Sequence, residues 1–138
     1  MFRKLQVNDY YRGYLELLSG LTICNFKNIT YDMFKKRYDE INSNIYVLEI
    51  DNKIIATGSI FIEKKFIRDM KNVGHIEDII IDEKYRGKGI GKDIIFYLIN
   101  IAKNNECYKV ILDCSDENIK FYEKCGFNKK ENHMAMYM

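Results

Sequence analysis

The sequence predicts a single α/β domain, residues 1–138, in which a mixed central sheet is flanked by helices. Three observations carry that expectation. β-rich runs alternate with helix-spaced runs along the whole chain. A glycine-rich turn, Arg86-Gly87-Lys88-Gly89-Ile90-Gly91-Lys92, joins an apolar strand-like run to a helix-like one. A chain of 138 residues with no proline, internal repeat or low-complexity tract has the length to bury about two-thirds of its unfolded surface in one core.

Residues 2–7 read as a first strand, and a helical stretch from Tyr10 to Leu18 follows and ends at Gly20. Thr30 reads as the N-cap of a second helix, with Asp32 in its first turn and Phe34, Tyr38 and Ile41 on one face. Ile45–Ile50 and Ile54–Ile62 are β-rich runs separated by Asp51-Asn52-Lys53, a hairpin pattern, and Val73–Asp82 is a third long strand. The helix opening at Ile90 has apolar residues at 90, 94, 95, 98, 101 and 102, one buried stripe facing a sheet. Tyr108–Leu112 is a short apolar strand. Ser115 is placed to cap a helix with Asp116 and Glu117 in its first turn and Gly126 at its end. Met134–Tyr137 reads as a last strand.

Composition excludes several classes of function. The formal net charge is only +2 and lysines are interspersed with acids, so the basic stripe of a nucleic-acid binder is missing. No apolar run approaches the roughly 20 residues of a bilayer span, and a soluble protein is expected. Cys24, Cys107, Cys114 and Cys125 form no C-x-x-C pair; with no secretory leader they read as reduced thiols of a cytoplasmic protein. His75 and His133 are too few and too far apart to complete a metal-ligand motif with them, so no metal is expected.

The glycine turn predicts an anion site. Gly87, Gly89 and Gly91 remove β-carbons that would keep a phosphate off the backbone, and the first amides of the helix lack intrahelical acceptors. Arg86, Lys88 and Lys92 add positive charge. Two familiar phosphate loops fail on spacing. Asp93 follows Lys92 where a Walker loop needs Ser or Thr, and G-x-G-x-G is not the G-x-G-x-x-G of dinucleotide folds. Arg-x-x-Gly-x-Gly, with Arg86, Gly89 and Gly91 in the defining places, resembles the acetyl-CoA pyrophosphate loop of Gcn5-related N-acetyltransferases. The element order resembles theirs too, and implies a central sheet whose parallel strands splay apart to admit the cofactor.

Five blocks, the glycine turn among them, narrow the resemblance: Glu63 to Arg68, Gly74 to Asp78, Arg86 to Lys92, Cys107 to Cys114, and Asn118 to Phe127. In order and spacing they closely resemble glucosamine 6-phosphate N-acetyltransferases, and Leu21-Thr22 fits the N-terminal pattern of that family. The resemblance implies transfer of acetyl from acetyl-CoA to the 2-amino group of glucosamine 6-phosphate, giving N-acetylglucosamine 6-phosphate for UDP-N-acetylglucosamine synthesis.

Attack on a thioester needs a neutral amine, donors for the carbonyl oxygen and a proton for the thiolate. By the resemblance, backbone N–H groups of Ile79, Ile80 and Ile81 are the donors, Tyr122 is the general acid, and Ile90, Asn118 and Lys124 join the loop on the cofactor side. On spacing alone Tyr122 reads as a core tyrosine, and Ile79–Ile81 as sheet core. Glu77, Asp78 and Asp113 form an acidic set that binds and orients the sugar, Asp113 positioning the amine through its carboxylate or its carbonyl. Glu77 and Asp78 are adjacent on one strand and are therefore expected on opposite faces. Carboxylates beside an amine stabilise its ammonium form and oppose deprotonation, yet they hold the nucleophile in place. Lys65, Arg68 and Lys109, with Thr22, match the phosphate site, Arg68 foremost because its fork can bind two oxygens. Phe66, Ile67 and Cys114 complete the substrate-side set that the resemblance implies.

Several family members carry an arginine near the C-terminus that reaches the sugar phosphate across a dimer interface; the corresponding place here is Tyr137. A homodimer is still expected, because Met134–Met138 is an apolar terminal strand that a monomer would leave as an exposed edge. Fold and cofactor loop do not choose the acceptor, so a peptide N-acetyltransferase and a non-catalytic acyl-CoA-binding module are the competing readings. The cations of 63–68 beside the acids of 74–78 favour a phosphosugar, and Tyr122 favours an enzyme.

Overall fold

Three β-rich runs become an antiparallel meander because the chain reverses at Asp51 (φ 50°) and Asn52 (φ 61°), two residue types that tolerate left-handed backbone. In the computed structural model, which describes all 138 residues, β2 (Asn44–Ile50), β3 (Lys53–Glu63) and β4 (Asn72–Ile81) pair in succession. β1 (Arg3–Lys4) adds to the outer edge of β2, Arg3 opposite Val47. Helix α3 (Ile90–Asn104) carries the chain over to β5 (Cys107–Ile111), which joins β4 in parallel, as such a crossover requires. The sheet order β1-β2-β3-β4-β5 is the order of the chain.

The two faces bury two cores. On one, Tyr46, Ile60 and Ile76 meet the predicted stripe of α3, of which Ile94, Ile95, Leu98 and Ala102 are fully buried. Each large side chain removed from water in this way contributes about 1.5–3 kcal/mol. On the other, Val47, Ile54 and Ile80 meet α1 (Tyr14–Leu18) and α2 (Tyr31–Glu40) through Tyr14, Leu17 and Phe34. Thr30 caps α2 as expected, its Oγ1 accepting from the Met33 amide at 3.2 Å. A cavity of about 410 Å³ remains between these helices and β2–β4. No helix is long and apolar enough to cross a membrane.

Four expectations change. The first strand is shorter than residues 2–7, because from Val7 to Arg12 the chain winds into a 3-10 turn around the buried carboxylate of Asp9. The following helix is broken at Gly13 (φ 78°) instead of running from Tyr10 to Leu18. Ser115 opens a 3-10 turn before α4 (Ile119–Lys124), and its Oγ accepts from the Asn118 side chain at 3.2 Å and not from a helix amide. Met134–Tyr137 forms no strand: a strand needs a neighbour for its N–H and C=O groups, and within one chain this segment has none. The sheet is splayed as expected. Pairing between β4 and β5 ends at His75 opposite Ile111, while β4 runs on to Ile81 with nothing on that edge.

Candidate active site

The free length of β4 is also where its register breaks. Thr57 opposes Ile80 and Ser59 opposes Glu77, so Asp78 and Ile79 together face Gly58. Asp78 absorbs the extra residue at φ 53°, forming a β-bulge. The glycine opposite it leaves room for side chains, since a Cβ on Gly58 would stand 2.5 Å from Ile79 Cδ1 and that methyl would have to move. The bulge overturns the expectation that Glu77 and Asp78 lie on opposite faces, because a left-handed residue interrupts the two-residue alternation of a strand. Asp78 lines the cavity beneath α1 and α2. Burial, then Asp78, then Asp113 push the Glu77 carboxyl pKa above its ordinary value, against the opposing pull of His75 and His133.

The same stretch supplies unpaired amides. The Asp82 N–H donates to Ile55 O of β3 at 2.7 Å. Amides alternate in direction along a strand, so those of Ile81 and Ile79 point to the open edge and that of Ile80 toward β3. Of the three expected donors, two therefore face the splay.

The glycine loop follows at the end of β4. Gly87 (φ 77°) and Gly89 (φ 84°) are both left-handed, and Gly89 caps α3 without a side chain, so the amides of Ile90, Gly91 and Lys92 start the helix unpartnered. A Cβ added at Gly87 or Gly89 meets no atom within 4 Å. The glycine at 89 thus answers to its backbone conformation and to an open approach, not to packing inside the protein. Such a cradle fits a pyrophosphate. Arg86 Nε donates to the Ile81 carbonyl at 3.1 Å, while Lys88 and Lys92 lie over the rings of Tyr85 and Phe96, 5.3 and 5.7 Å from their centroids. Lys124 ends α4, and neither it nor Asn118 forms a hydrogen bond or ion pair with the loop.

Tyr122 projects from α4, half-buried between the rings of Phe121 and Phe127 at 5.0 and 6.0 Å. Burial, and after it the neighbouring Cys114 and Cys125, raise its phenol pKa above the ordinary value. Its hydroxyl has no protein partner and is not sealed from solvent, so it is free for a ligand. Asp113 leaves the end of β5 beside Cys114, and both are exposed. Asp113 is near enough to Glu77 to oppose its ionisation, and Cys114, the next residue, is near Tyr122.

The cations form a separate group at the other end of the parallel pair. After β3 the chain turns through Arg68, Asp69 and Met70, all with positive φ, leaving Phe66 (88% exposed) and Ile67 projecting. Arg68 and Lys109 flank the Tyr108 ring, 5.3 and 5.6 Å from its centroid. Lys65 is 3.3 Å from Glu63, whose carboxyl pKa is lowered by His75 first and Lys65 second. Thr22, on the exposed loop after α1, joins neither group through a hydrogen bond of its side chain.

Three residues near these groups escaped sequence reasoning. Tyr108 holds the two cations, but looked like one apolar position of a strand. Tyr14 lines the cavity with Asp78 and stays a neutral phenol, burial pushing its pKa up to about 12; in the sequence it is one position of a helical stretch. His133 pairs with Asp113 at 3.0 Å from a segment with no motif.

Comparison with known proteins gives a consistent result. Residues 9–127 match the profile of the acetyltransferase (GNAT) family. The chain is 45% identical over 142 residues to glucosamine 6-phosphate N-acetyltransferase of Arabidopsis thaliana, covering 98% of this chain and 94% of that protein. It is 46% identical over 144 residues to glucosamine 6-phosphate N-acetyltransferase 1 of Dictyostelium discoideum, covering 99% and 90%. The crystal structure of the Arabidopsis thaliana enzyme superposes with a TM-score of 0.94 at 44% identity, covering 99% of this chain and 97% of that one.

Proposed function

The chain belongs to the acetyltransferase (GNAT) family, and from that premise we propose that it transfers acetyl from acetyl-CoA to the 2-amino group of D-glucosamine 6-phosphate. The product is N-acetyl-D-glucosamine 6-phosphate, a precursor for UDP-N-acetylglucosamine. The observation that carries this reading is the open β4 edge, with free amides at Ile79 and Ile81, between a glycine phosphate loop and an acid-lined opening.

The chemistry follows from those parts. The pyrophosphate of acetyl-CoA rests on the loop from Arg86 to Lys92, the thioester lies along the open edge, and Asn118 and Lys124 flank the pantetheine or adenosine part from the side of α4. The neutral amine nitrogen attacks the thioester carbon. Negative charge gathers on the carbonyl oxygen and is held by the two amides. The C–S bond then breaks, coenzyme A leaves as a thiolate that takes a proton from Tyr122, and the nitrogen loses a proton to solvent, from which the phenol is restored. A phenol raised above its usual value near 10 is a weaker acid than a thiol near 8.5, so full transfer is uphill by at least about 2 kcal/mol. Tyr122 therefore works as a hydrogen-bond donor that yields its proton late.

On the acceptor side, Glu77, Asp78 and Asp113 orient the amino sugar, while Arg68 and Lys109, with Lys65 and Thr22, receive the 6-phosphate. Phe66, Ile67 and Cys114 line the same substrate side. Lys109 precedes Asp113 by four residues, at most about 13 Å of extended chain, a span that a hexose 6-phosphate and a long cationic side chain together cover. We further propose a cytoplasmic homodimer; the exposed apolar tail, Met134, Met136, Tyr137 and Met138, supports it.

The test is to incubate purified protein with acetyl-CoA and a panel of amino sugars, with and without a 6-phosphate, and to follow thiol release. Glucosamine 6-phosphate is expected to be acetylated far better than glucosamine. Equal turnover of the two removes the phosphosugar assignment.

A further inference from the structure

β3 is buried along most of its length, and two of its buried residues are polar: Thr57 (1% exposed) and Ser59 (8%), on either side of Gly58. A hydroxyl removed from water is costly unless it is hydrogen-bonded, and each of these donates to a carbonyl of a neighbouring strand. Thr57 Oγ1 donates to Tyr46 O of β2 at 2.9 Å. Ser59 Oγ donates to Glu77 O of β4 at 3.1 Å. The first bond ties β3 to the strand away from the site. The second falls on the peptide that joins Glu77 to Asp78, where the β-bulge opens. Asp78 stands at φ 53°, a conformation that a residue other than glycine keeps only where its surroundings enforce it. A flip of the preceding peptide, in which ψ of Glu77 and φ of Asp78 change together, would relieve it, and the Glu77 carbonyl would swing away.

We propose that Ser59 is a positioning residue for acetyl transfer: by holding the Glu77 carbonyl it keeps the peptide before Asp78 from flipping, and so fixes the bulge that aims the Asp78 carboxylate and the Ile79 amide. This rests on the acetyltransferase reading above, in which Asp78 orients the acceptor and Ile79 supplies one of the two amides for the thioester oxygen. A hydrogen-bond donor serves a transition state best when its direction is fixed beforehand, because no reorganisation is then needed as charge develops. Ser59 acts through the backbone of β4 and not on the substrate. It also lines the cavity of about 410 Å³ beneath α1 and α2, which has room for the additional methyl group of a threonine.

The experiment compares the full chain with Ser59→Ala, Ser59→Thr and Thr57→Val, using acetyl-CoA and glucosamine 6-phosphate. Ser59→Ala should lower kcat about tenfold and leave the KM for acetyl-CoA within about twofold, because the glycine loop does not depend on the bulge. In amide NMR spectra of the same variant, the signals of Asp78 and Ile79 should move while those of Gly87 and Gly89 stay. Ser59→Thr keeps the hydroxyl and should recover most of kcat. Thr57→Val removes the matching bond toward β2, and should lower the melting temperature while leaving kcat within about twofold. A kcat unchanged in Ser59→Ala overturns the positioning role, and so does a kcat lowered equally in Thr57→Val, since the loss then comes from a loosened sheet; both leave the acetyltransferase reading intact. A wild-type protein that acetylates no amino sugar phosphate overturns that reading, whereas unmoved Asp78 and Ile79 signals in Ser59→Ala overturn the role of Ser59 in the bulge by themselves.

Discussion

Two clusters of carboxylates in this protein are built in opposite ways. Around Asp9 every charge is answered. Arg3 binds its carboxylate through two hydrogen bonds of 2.9 and 2.8 Å, the Gln6 amide adds one of 2.8 Å, and Arg12 adds another of 3.1 Å. Both arginines also reach Glu49. Burial by itself would raise the Asp9 pKa, but these donors outweigh it and hold the carboxyl below its ordinary value. Around Glu77, Asp78 and Asp113 the reverse holds: no lysine or arginine pairs with any of the three, His133 stands 3.0 Å from Asp113, and Glu77 is pushed upward. The first cluster fastens the N-terminal segment to β1 and β2. The second is left incomplete by the protein and can be completed by a cationic acceptor.

This contrast can be broken from either side. The largest effect is expected where a group serves only chemistry: Tyr122→Phe keeps the ring between Phe121 and Phe127 but removes the donor, and turnover should fall roughly 10²–10⁴-fold with little change in melting temperature. Near-normal kcat would make Tyr122 a packing residue. Asp9→Ala should do the opposite, costing about 3–5 kcal/mol in a denaturant titration because two guanidiniums lose their buried partner, with kcat per folded molecule retained. The pH dependence has the matching sign. A depressed carboxyl contributes stability above its unfolded value, near about pH 4, and loses it as pH falls through the folded value, so this contribution should fade only in acid.

A smaller effect separates the two halves of the site. Arg68→Ala removes a charged contact worth about 1.5–3 kcal/mol and should raise the KM for the sugar phosphate while sparing that for acetyl-CoA. An unmoved sugar KM would shift the phosphate to Lys109 and Lys65. The smallest effect sharpens the contrast most. Glu77 is raised in the folded state, so its ionisation lowers stability as pH climbs past the unfolded value. Glu77→Gln should therefore melt slightly higher than wild type at neutral pH and equally at pH values well below the ordinary carboxyl range, with weaker sugar binding. A variant less stable at neutral pH would mean that Glu77 belongs with Asp9 as a structural acid.

What could be seen in the sequence follows the same division. The α3 stripe, the Asp51-Asn52 reversal and the Thr30 cap are local patterns with local causes, and all three are present. The glycine loop was legible because a left-handed turn before a helix needs a residue without a β-carbon. The bulge at Asp78 was not, since two residues of β4 face the single Gly58 of a neighbouring strand, and only the register between the strands reveals it. His133 and Tyr108 were missed for a related reason. Their partners, Asp113 in one case and Arg68 with Lys109 in the other, are gathered by the crossover or the tail and not by any spacing along the chain. Met134–Tyr137 shows the limit of pattern reading: a continuous apolar run marks a segment able to form a strand, but the neighbour must come from elsewhere.

The order of strands in the sheet bears on how the molecule is assembled. Because β1 to β5 lie side by side in the sequence in which they emerge, no strand has to be inserted between two that have already paired. The antiparallel meander of β2, β3 and β4 closes over short separations, whereas the parallel contact with β5 must wait for the whole of α3 and carries the greater loop-closure entropy. During synthesis from the N-terminus, the first core can therefore settle before the splay between β4 and β5 exists. The far wall of that splay, with β5 and α4, arrives in the last part of the chain, so a product truncated before β5 would keep the meander but lack Asp113 and Tyr122, two residues of the proposed site.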